Sequence, residues 1–112
     1  MHAMLEITDQ ERAKGAHVVT VKGDVTIHTS PQLRKALKPL LTAATKEVRV
    51  QLDGVGFMDS SGIATLVEGL QWARETGGRF VLSGLSETVR DVFELAKLDT
   101  VFEIDNGSAS HD

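Results

Sequence analysis

Four consecutive residues, Asp59-Ser60-Ser61-Gly62, put a carboxylate and two hydroxyls immediately before an apolar helical period. Asp and Ser lead the ranking of helix N-caps, so one of them suffices to satisfy the free N–H groups of a first turn. The duplicated Ser then leaves a spare hydroxyl facing solvent. A hydroxyl at a helix N-terminus is well placed to carry phosphate, because free backbone N–H groups and the helix macrodipole favour added negative charge. Capping alone, and capping combined with phosphate acceptance, both fit these residues; capping is the commoner use of them.

Other chemistries find less support. A nucleophilic serine needs a general base and an oxyanion hole, and no G-x-S-x-G elbow is present. His2 and His111 sit near the ends of the chain, and His17 and His28 lie 11 residues apart. His28 falls on a loop beside the candidate helix, yet no acidic residue occupies an obvious triad position. Clustered metal-ligand spacing is absent, and Gly54-x-Gly56 lacks the rest of a nucleotide fingerprint. Those two glycines read as a tight loop. With no Cys, disulfides, thiolate catalysis and Cys-ligated metals are excluded. No cofactor and no metal are expected.

Hydrophobic periodicity supplies the elements that must position the serines. Leu5 and Ile7 alternate with polar neighbours as a short strand, residues 10–15 read as a polar turn, and residues 17–21 as a second strand closed by Gly23. The short gap favours an antiparallel hairpin. Thr29, Pro31 and Gln32 read as a helix start with a capping box. Leu33, Ala36, Leu37, Leu40, Leu41 and Ala44 keep one apolar face, which predicts a single helix kinked at Pro39. Val48, Val50 and Leu52 make a third strand. Ile63, Leu66, Val67, Leu70 and Ala73 mark a second helix ending near Gly77-Gly78. A buried strand over residues 80–82 follows, then a third helix opened by Ser86 and a last strand over residues 101–104. Residues 106–112 form a polar tail. The order β-β-α-β-α-β-α-β predicts one α/β domain, its core over about residues 5–104, with a mixed, mostly parallel sheet of about five strands.

Loops leaving the carboxyl ends of parallel strands are the usual working edge of such a sheet. Residues 23–29 and 53–62 qualify. Phe57 and Met58 sit together in the second loop; at least one is expected to be buried, and the other can anchor a partner. Trp72, the only Trp, lies off the apolar stripe of its helix and reads as a flank contact to the neighbouring helix.

Composition narrows the function classes. The chain has 112 residues, 12 Lys plus Arg and 16 Asp plus Glu, a net charge of −4, and 41% hydrophobic residues. That length buries a core without staples, and the acidic balance argues against nucleic-acid binding. No apolar run approaches the roughly 18 residues of a membrane span, and the start has no signal-peptide pattern. A soluble, cytoplasmic protein with no membrane insertion is expected.

The run from Leu52 to Ile63, with its D-S-S-G core, resembles the signature of the STAS family, specifically the bacterial anti-sigma factor antagonists. The likeness extends from about Leu5 to Ile104 and includes Gly23-Asp24-Val25, Gly77-Gly78 and residues 85–102. It implies a STAS fold and a non-catalytic binding module. In such antagonists the first Ser of the pair, Ser60 here, accepts phosphate from an anti-sigma factor that is itself a serine kinase. Ser61 is the lesser candidate. Only the unphosphorylated form binds that partner, and a serine phosphatase resets it. The partner-binding residues implied are Asp24, Thr26, His28 and Thr29 on one loop, with Phe57, Met58, Asp59, Ser61 and Gly62 on the other.

Two departures stand out. Thr26 occupies a position of the partner-binding loop where many antagonists carry Asp, and residues 106–112 are too short and polar for the helix that commonly closes the family fold. Its absence is expected to expose part of the third helix or the sheet, an arrangement that permits a homodimer. A second STAS role is an accessory subunit bound to the ATPase of a lipid-trafficking ABC transporter; the intact serine pair favours the sigma pathway. A serine hydrolase would require His28 close to Ser60 or Ser61 in a deep pocket.

Overall fold

Val48, Val50 and Leu52 are completely buried, whereas Glu47, Arg49 and Gln51 between them are partly exposed. This is the period-two signature of a strand with one face on the core. The computed structural model, which describes residues 4–105, places that strand as β3 (Glu47–Gly54) at the centre of a five-stranded sheet of order β1-β2-β3-β4-β5. β1 (Glu6–Ala13) and β2 (Ala16–Lys22) form the antiparallel hairpin. β2, β3, β4 (Arg79–Ser83) and β5 (Glu103–Asp105) run parallel. The helices α1 (Ser30–Leu37), α2 (Ser60–Thr76) and α3 (Glu87–Leu95) alternate with the parallel strands. The α/β class, the element order and the mixed sheet agree with the sequence reading.

Leu33 and Leu37 of α1, Leu66, Leu70 and Ala73 of α2, and Val89 and Phe93 of α3 join the inward strand residues in one core. Phe102 packs against Phe80 and Phe93, with ring centroids 6.4 and 5.6 Å apart, geometry favourable for tilted aromatic pairs. The opposite sheet face is mainly polar, with Val18 and the buried Val81 flanking Arg49. Thr20 donates to Gln51 at 3.2 Å, Arg49 reaches Asp105 at 2.6 Å, and Arg79 pairs with Glu47 at 2.9 Å and with Glu103.

Four local expectations are corrected. The polar segment over residues 10–15 is not all turn: β1 runs to Ala13, and only Lys14 and Gly15 turn the chain. Gln10, Glu11 and Arg12 lie on an exposed edge strand, where neither face demands apolar side chains. Gly15 adopts φ +82°, and a Cβ there would fall 2.8 Å from the Ala44 carbonyl oxygen. The helix predicted through Pro39 stops at Leu37 and continues as a 3₁₀ turn, Lys38–Leu40. Pro39 supplies no N–H and its ring clashes with the preceding turn, yet Leu41 still reaches the core.

The Thr29–Gln32 capping box does not form. Gln32 instead accepts from Leu5 N–H at 2.9 Å and donates to Leu5 C=O at 2.7 Å, fastening the entry to β1. The last strand begins at Glu103 rather than at residue 101, because Lys97 turns left-handed (φ 58°) into a 3₁₀ turn, Leu98–Thr100. Ser86 caps α3 by accepting from Val89 N–H at 3.3 Å, and Gly77 (φ +83°) ends α2, both as predicted. Leu95 of α3 and Val101 after it are exposed. The predicted tail and the missing closing helix fall on residues 106–112, outside the described residues. Among the described residues no helix is long and apolar enough to cross a membrane.

Candidate functional site

The parallel pairing of β2 with β3 delivers two loops to the same end of the sheet. Backbone bonds then stitch them together. Gly23 N–H donates to Gly54 C=O, Val25 N–H to Phe57 C=O, and Asp59 N–H to Val25 C=O, each at 3.0 Å. Val25 and Met58 form an isolated parallel bridge, and both side chains are buried with Val55 beneath the loops. The β2–α1 and β3–α2 loops therefore behave as one surface on an apolar floor.

Asp59 organises that surface. Its backbone is extended, and its Oδ1 accepts from Ser61 N–H at 2.8 Å and Gly62 N–H at 3.3 Å. Its Oδ2 accepts from Ile27 N–H of the other loop at 3.1 Å. Because Asp59 is the cap, neither serine hydroxyl is needed for it. Ser60 is exposed and Ser61 partly so, and neither hydroxyl makes a hydrogen bond among the described residues. Gly62 must be small: a Cβ there would lie 2.6 Å from Met58 Cγ and 2.7 Å from Val25 Cγ1.

The β2–α1 loop is built from its own hydroxyls. Thr29 Oγ1 accepts from Thr26 N–H at 2.9 Å and donates to Asp24 C=O at 2.8 Å. Those bonds occupy the hydroxyl that was expected to cap α1. Thr26 Oγ1 accepts from His28 N–H at 3.1 Å, a turn of the type that Asp side chains also make. Thr26 thus supplies locally what an Asp would, without the charge.

The structure brings the predicted residues together but at two depths. Asp24, His28, Phe57 and Ser60 are exposed, and Thr26, Asp59 and Ser61 are partly exposed. Thr29, Met58 and Gly62 lie beneath them, where they shape the loops. Burial of Met58 with exposure of Phe57 fits the expectation that at least one of the pair is core. Sequence reasoning missed Ile27, which is 66% exposed beside Phe57's own 47% on the stitched surface. The available signal was an isolated Ile between Thr26 and His28, outside any apolar period. Trp72 flanks α1 as predicted, its ring 5.4 Å from Arg34 Cζ and 5.8 Å from Lys38 Nζ.

An exposed hydroxyl at the positive end of a 17-residue helix, beside hydrogen-bonded loops and two exposed apolar side chains, suits a binding surface. Comparison with known proteins agrees with the fold. The family model described as Mlab, STAS domain, matches residues 8–104. The anti-sigma-B factor antagonist of Staphylococcus aureus is 26% identical over 108 residues, covering 96% of this chain and 97% of that protein. The anti-sigma factor antagonist SpoIIAA in its unphosphorylated form superposes with a TM-score of 0.77 at 21% identity, covering 91% of this chain and 90% of that one. The phosphorylated form of the Bacillus cell fate determinant SpoIIAA gives a TM-score of 0.71 at 20% identity, covering 91% and 93%. With the family model spanning all five strands in nearly their full extent, the chain belongs to the STAS domain family.

Proposed function

We propose that this protein is an anti-sigma factor antagonist whose binding to an anti-sigma factor is switched by phosphorylation of Ser60. One observation carries the reading: Asp59 takes the whole capping role, leaving Ser60 exposed at the α2 N-terminus with its hydroxyl uncommitted. The likeness along almost the whole length of an anti-sigma-B factor antagonist supports it. The protein itself is a substrate and binding module, acting in the cytoplasm.

In the transfer, Ser60 Oγ attacks the γ-phosphorus of ATP held by the partner kinase. The Oγ–P bond forms, the bond to the β-phosphate oxygen breaks, ADP leaves, and the hydroxyl proton passes to a base of the kinase. A serine phosphatase reverses the state by adding water across the Oγ–P bond. The phosphate adds about −1.5 to −2 charge beside Asp59, moving the chain from −4 towards about −6. Ile27 and Phe57 require that this surface lose its water on docking. A desolvated dianion next to a carboxylate that costs about 3 kcal/mol weakens binding roughly a hundredfold.

The test uses the serine-kinase anti-sigma factor of the source organism, expressed and mixed with this protein and ATP. Mass mapping is expected to find one phosphate, on Ser60. Ser60→Ala should bind and resist phosphorylation, and Ser60→Asp should lose binding. Tight binding by Ser60→Asp overturns the switch, as does selective binding to the ATPase of a lipid-trafficking ABC transporter in place of the kinase.

A further inference from the structure

Residues 25–46 contain no Asp or Glu, although the chain has 16 of them. The same stretch holds Arg34, Lys35, Lys38 and Lys46, so it carries +4 while the rest of the chain carries −8. Three of these cations lie on one helical face. Pro31, Arg34, Lys35 and Lys38 follow the i, i+3, i+4, i+7 spacing opposite the buried Leu33 and Leu37. With Pro39 they line an open depression of about 540 Å³.

The cations are held in place rather than neutralised. Arg34 and Lys38 both sit over the Trp72 ring of α2, at 5.4 and 5.8 Å, within range for cation–π attraction. Arg34 Nε meets Glu68 at 2.8 Å, but both side chains are nearly half exposed, so the pair contributes little and leaves the guanidinium largely available. Among the described residues, neither Lys35 nor Lys38 has a carboxylate within ion-pair distance.

We infer that this face of α1 is an anion-recognition surface that seats an acidic segment of a protein partner. From Pro31 to Pro39 the face spans about 13 Å, at about 1.5 Å per residue through α1 and about 2.0 Å through the 3₁₀ turn, the length of about four extended peptide residues. Cations strung along that line match successive carboxylates. A single phosphate instead demands donors that converge. The face also lacks the large apolar residues that an interfacial helix sinks into lipid. α1 starts where the β2–α1 loop ends, so the surface continues the proposed Ser60 interface. It rests on that reading only for the identity of the partner that supplies the acidic segment.

The isotope-labelled full chain titrated with a hexaglutamate peptide, followed by NMR, decides the matter without the partner. Saturable shifts confined to residues 31–39 and the Trp72 indole are expected, weakening with salt. Lys35→Glu with Lys38→Glu should weaken that binding by about tenfold or more, Lys35→Arg with Lys38→Arg should retain it, and Ser60→Asp should leave it unchanged. In the kinase assay the double reversal should weaken binding by a similar factor with Ser60 intact. Absence of saturable shifts, or shifts centred elsewhere, overturns the inference even where the kinase binds. Binding to vesicles containing anionic phospholipid but not to the peptide overturns it in favour of a membrane surface. Failure of the wild-type chain to bind the kinase, with the peptide still seated on α1, overturns the Ser60 reading alone.

Discussion

Asp59 Oδ2 accepts the Ile27 N–H at 3.1 Å, joining residues 32 apart in the chain, while its Oδ1 caps α2 through Ser61 and Gly62. One carboxylate therefore sets the start of the helix that presents Ser60 and fixes the loop that presents Ile27. Asp59→Ala removes both functions and should destabilise the fold by about 1–2 kcal/mol. Asp59→Asn keeps a good cap, its side-chain carbonyl taking the place of Oδ1 for the Ser61 and Gly62 N–H groups and losing only the Ile27 N–H, so it should be distinctly milder. Urea unfolding of the two variants measures the difference. Equal losses would show that the charge or the Ile27 bond, which both variants lose, carries the effect rather than the capping geometry.

Gly62 faces Met58 and Val25 from the first turn of the same helix, at distances no Cβ tolerates. Two opposing terms act on Gly62→Ala. Helix propensity favours Ala by about 1 kcal/mol, whereas overpacking costs about 1–3 kcal/mol. Neither Met58 nor Val25 can retreat freely, because each is buried and tied by the bridge between the loops. A net loss is expected, lowering the melting temperature by several degrees for a domain this size. Gly62→Val should lose more. A melting temperature unchanged or raised in Gly62→Ala would mean that Met58 repacks at no cost.

The parts of this architecture that the sequence made legible are those where one face is apolar and the other is not. β3 alternates, α2 and α3 carry clean stripes, and Ser86 and Gly77 stand at helix ends with no competing partner. The D-S-S-G start of α2 was visible for the same reason, although which of its residues caps was not. Legibility fails where tertiary partners compete for a side chain. Thr29 resembles an N-cap but is claimed by Thr26 N–H and Asp24 C=O, and Gln32 by Leu5. It also fails where burial imposes no period, as in the exposed end of β1. Ile27 escaped notice because an isolated Ile outside any apolar period does not itself say whether it is covered, and the bond that fixes its loop comes from Asp59, 32 residues away.

On the polar sheet face, the hydrogen bond from Arg79 holds the Glu103 carboxyl below its ordinary value; desolvation opposes it, the guanidinium charges of Arg79 and Arg49 add to it, and the Asp105 carboxylate works against it. A carboxyl whose pKa is depressed on folding contributes stability above its unfolded pKa, and that contribution disappears as pH falls through the folded value. The window therefore lies on the acid side of the usual glutamate range, about 4.3 and below. Both partners are about half exposed, so the effect is modest and screened by salt. Urea midpoints followed from neutral pH into that window should fall less steeply for Glu103→Gln than for the wild type. Parallel curves for the two proteins would remove Glu103 from the acid limb.

Ile27 and Phe57 are 66% and 47% exposed on the stitched loops, a position that folding does not require. Truncating Ile27 removes little buried area, so Ile27→Ala should change stability by no more than about 0.5 kcal/mol; Phe57 keeps about half its surface covered, so Phe57→Ala should cost about 1 kcal/mol. Their effect on the proposed partner is expected to be larger. Central apolar anchors commonly cost about 1–2 kcal/mol or more on truncation, and each variant should bind the anti-sigma factor at least about tenfold more weakly. Phosphorylation of Ser60 at saturating kinase should still proceed, because the acceptor and its Asp59 cap are intact. Calorimetric titration beside urea unfolding separates the two quantities. Binding losses that merely track stability losses would place the recognition surface elsewhere; full binding with both residues truncated would do the same more directly.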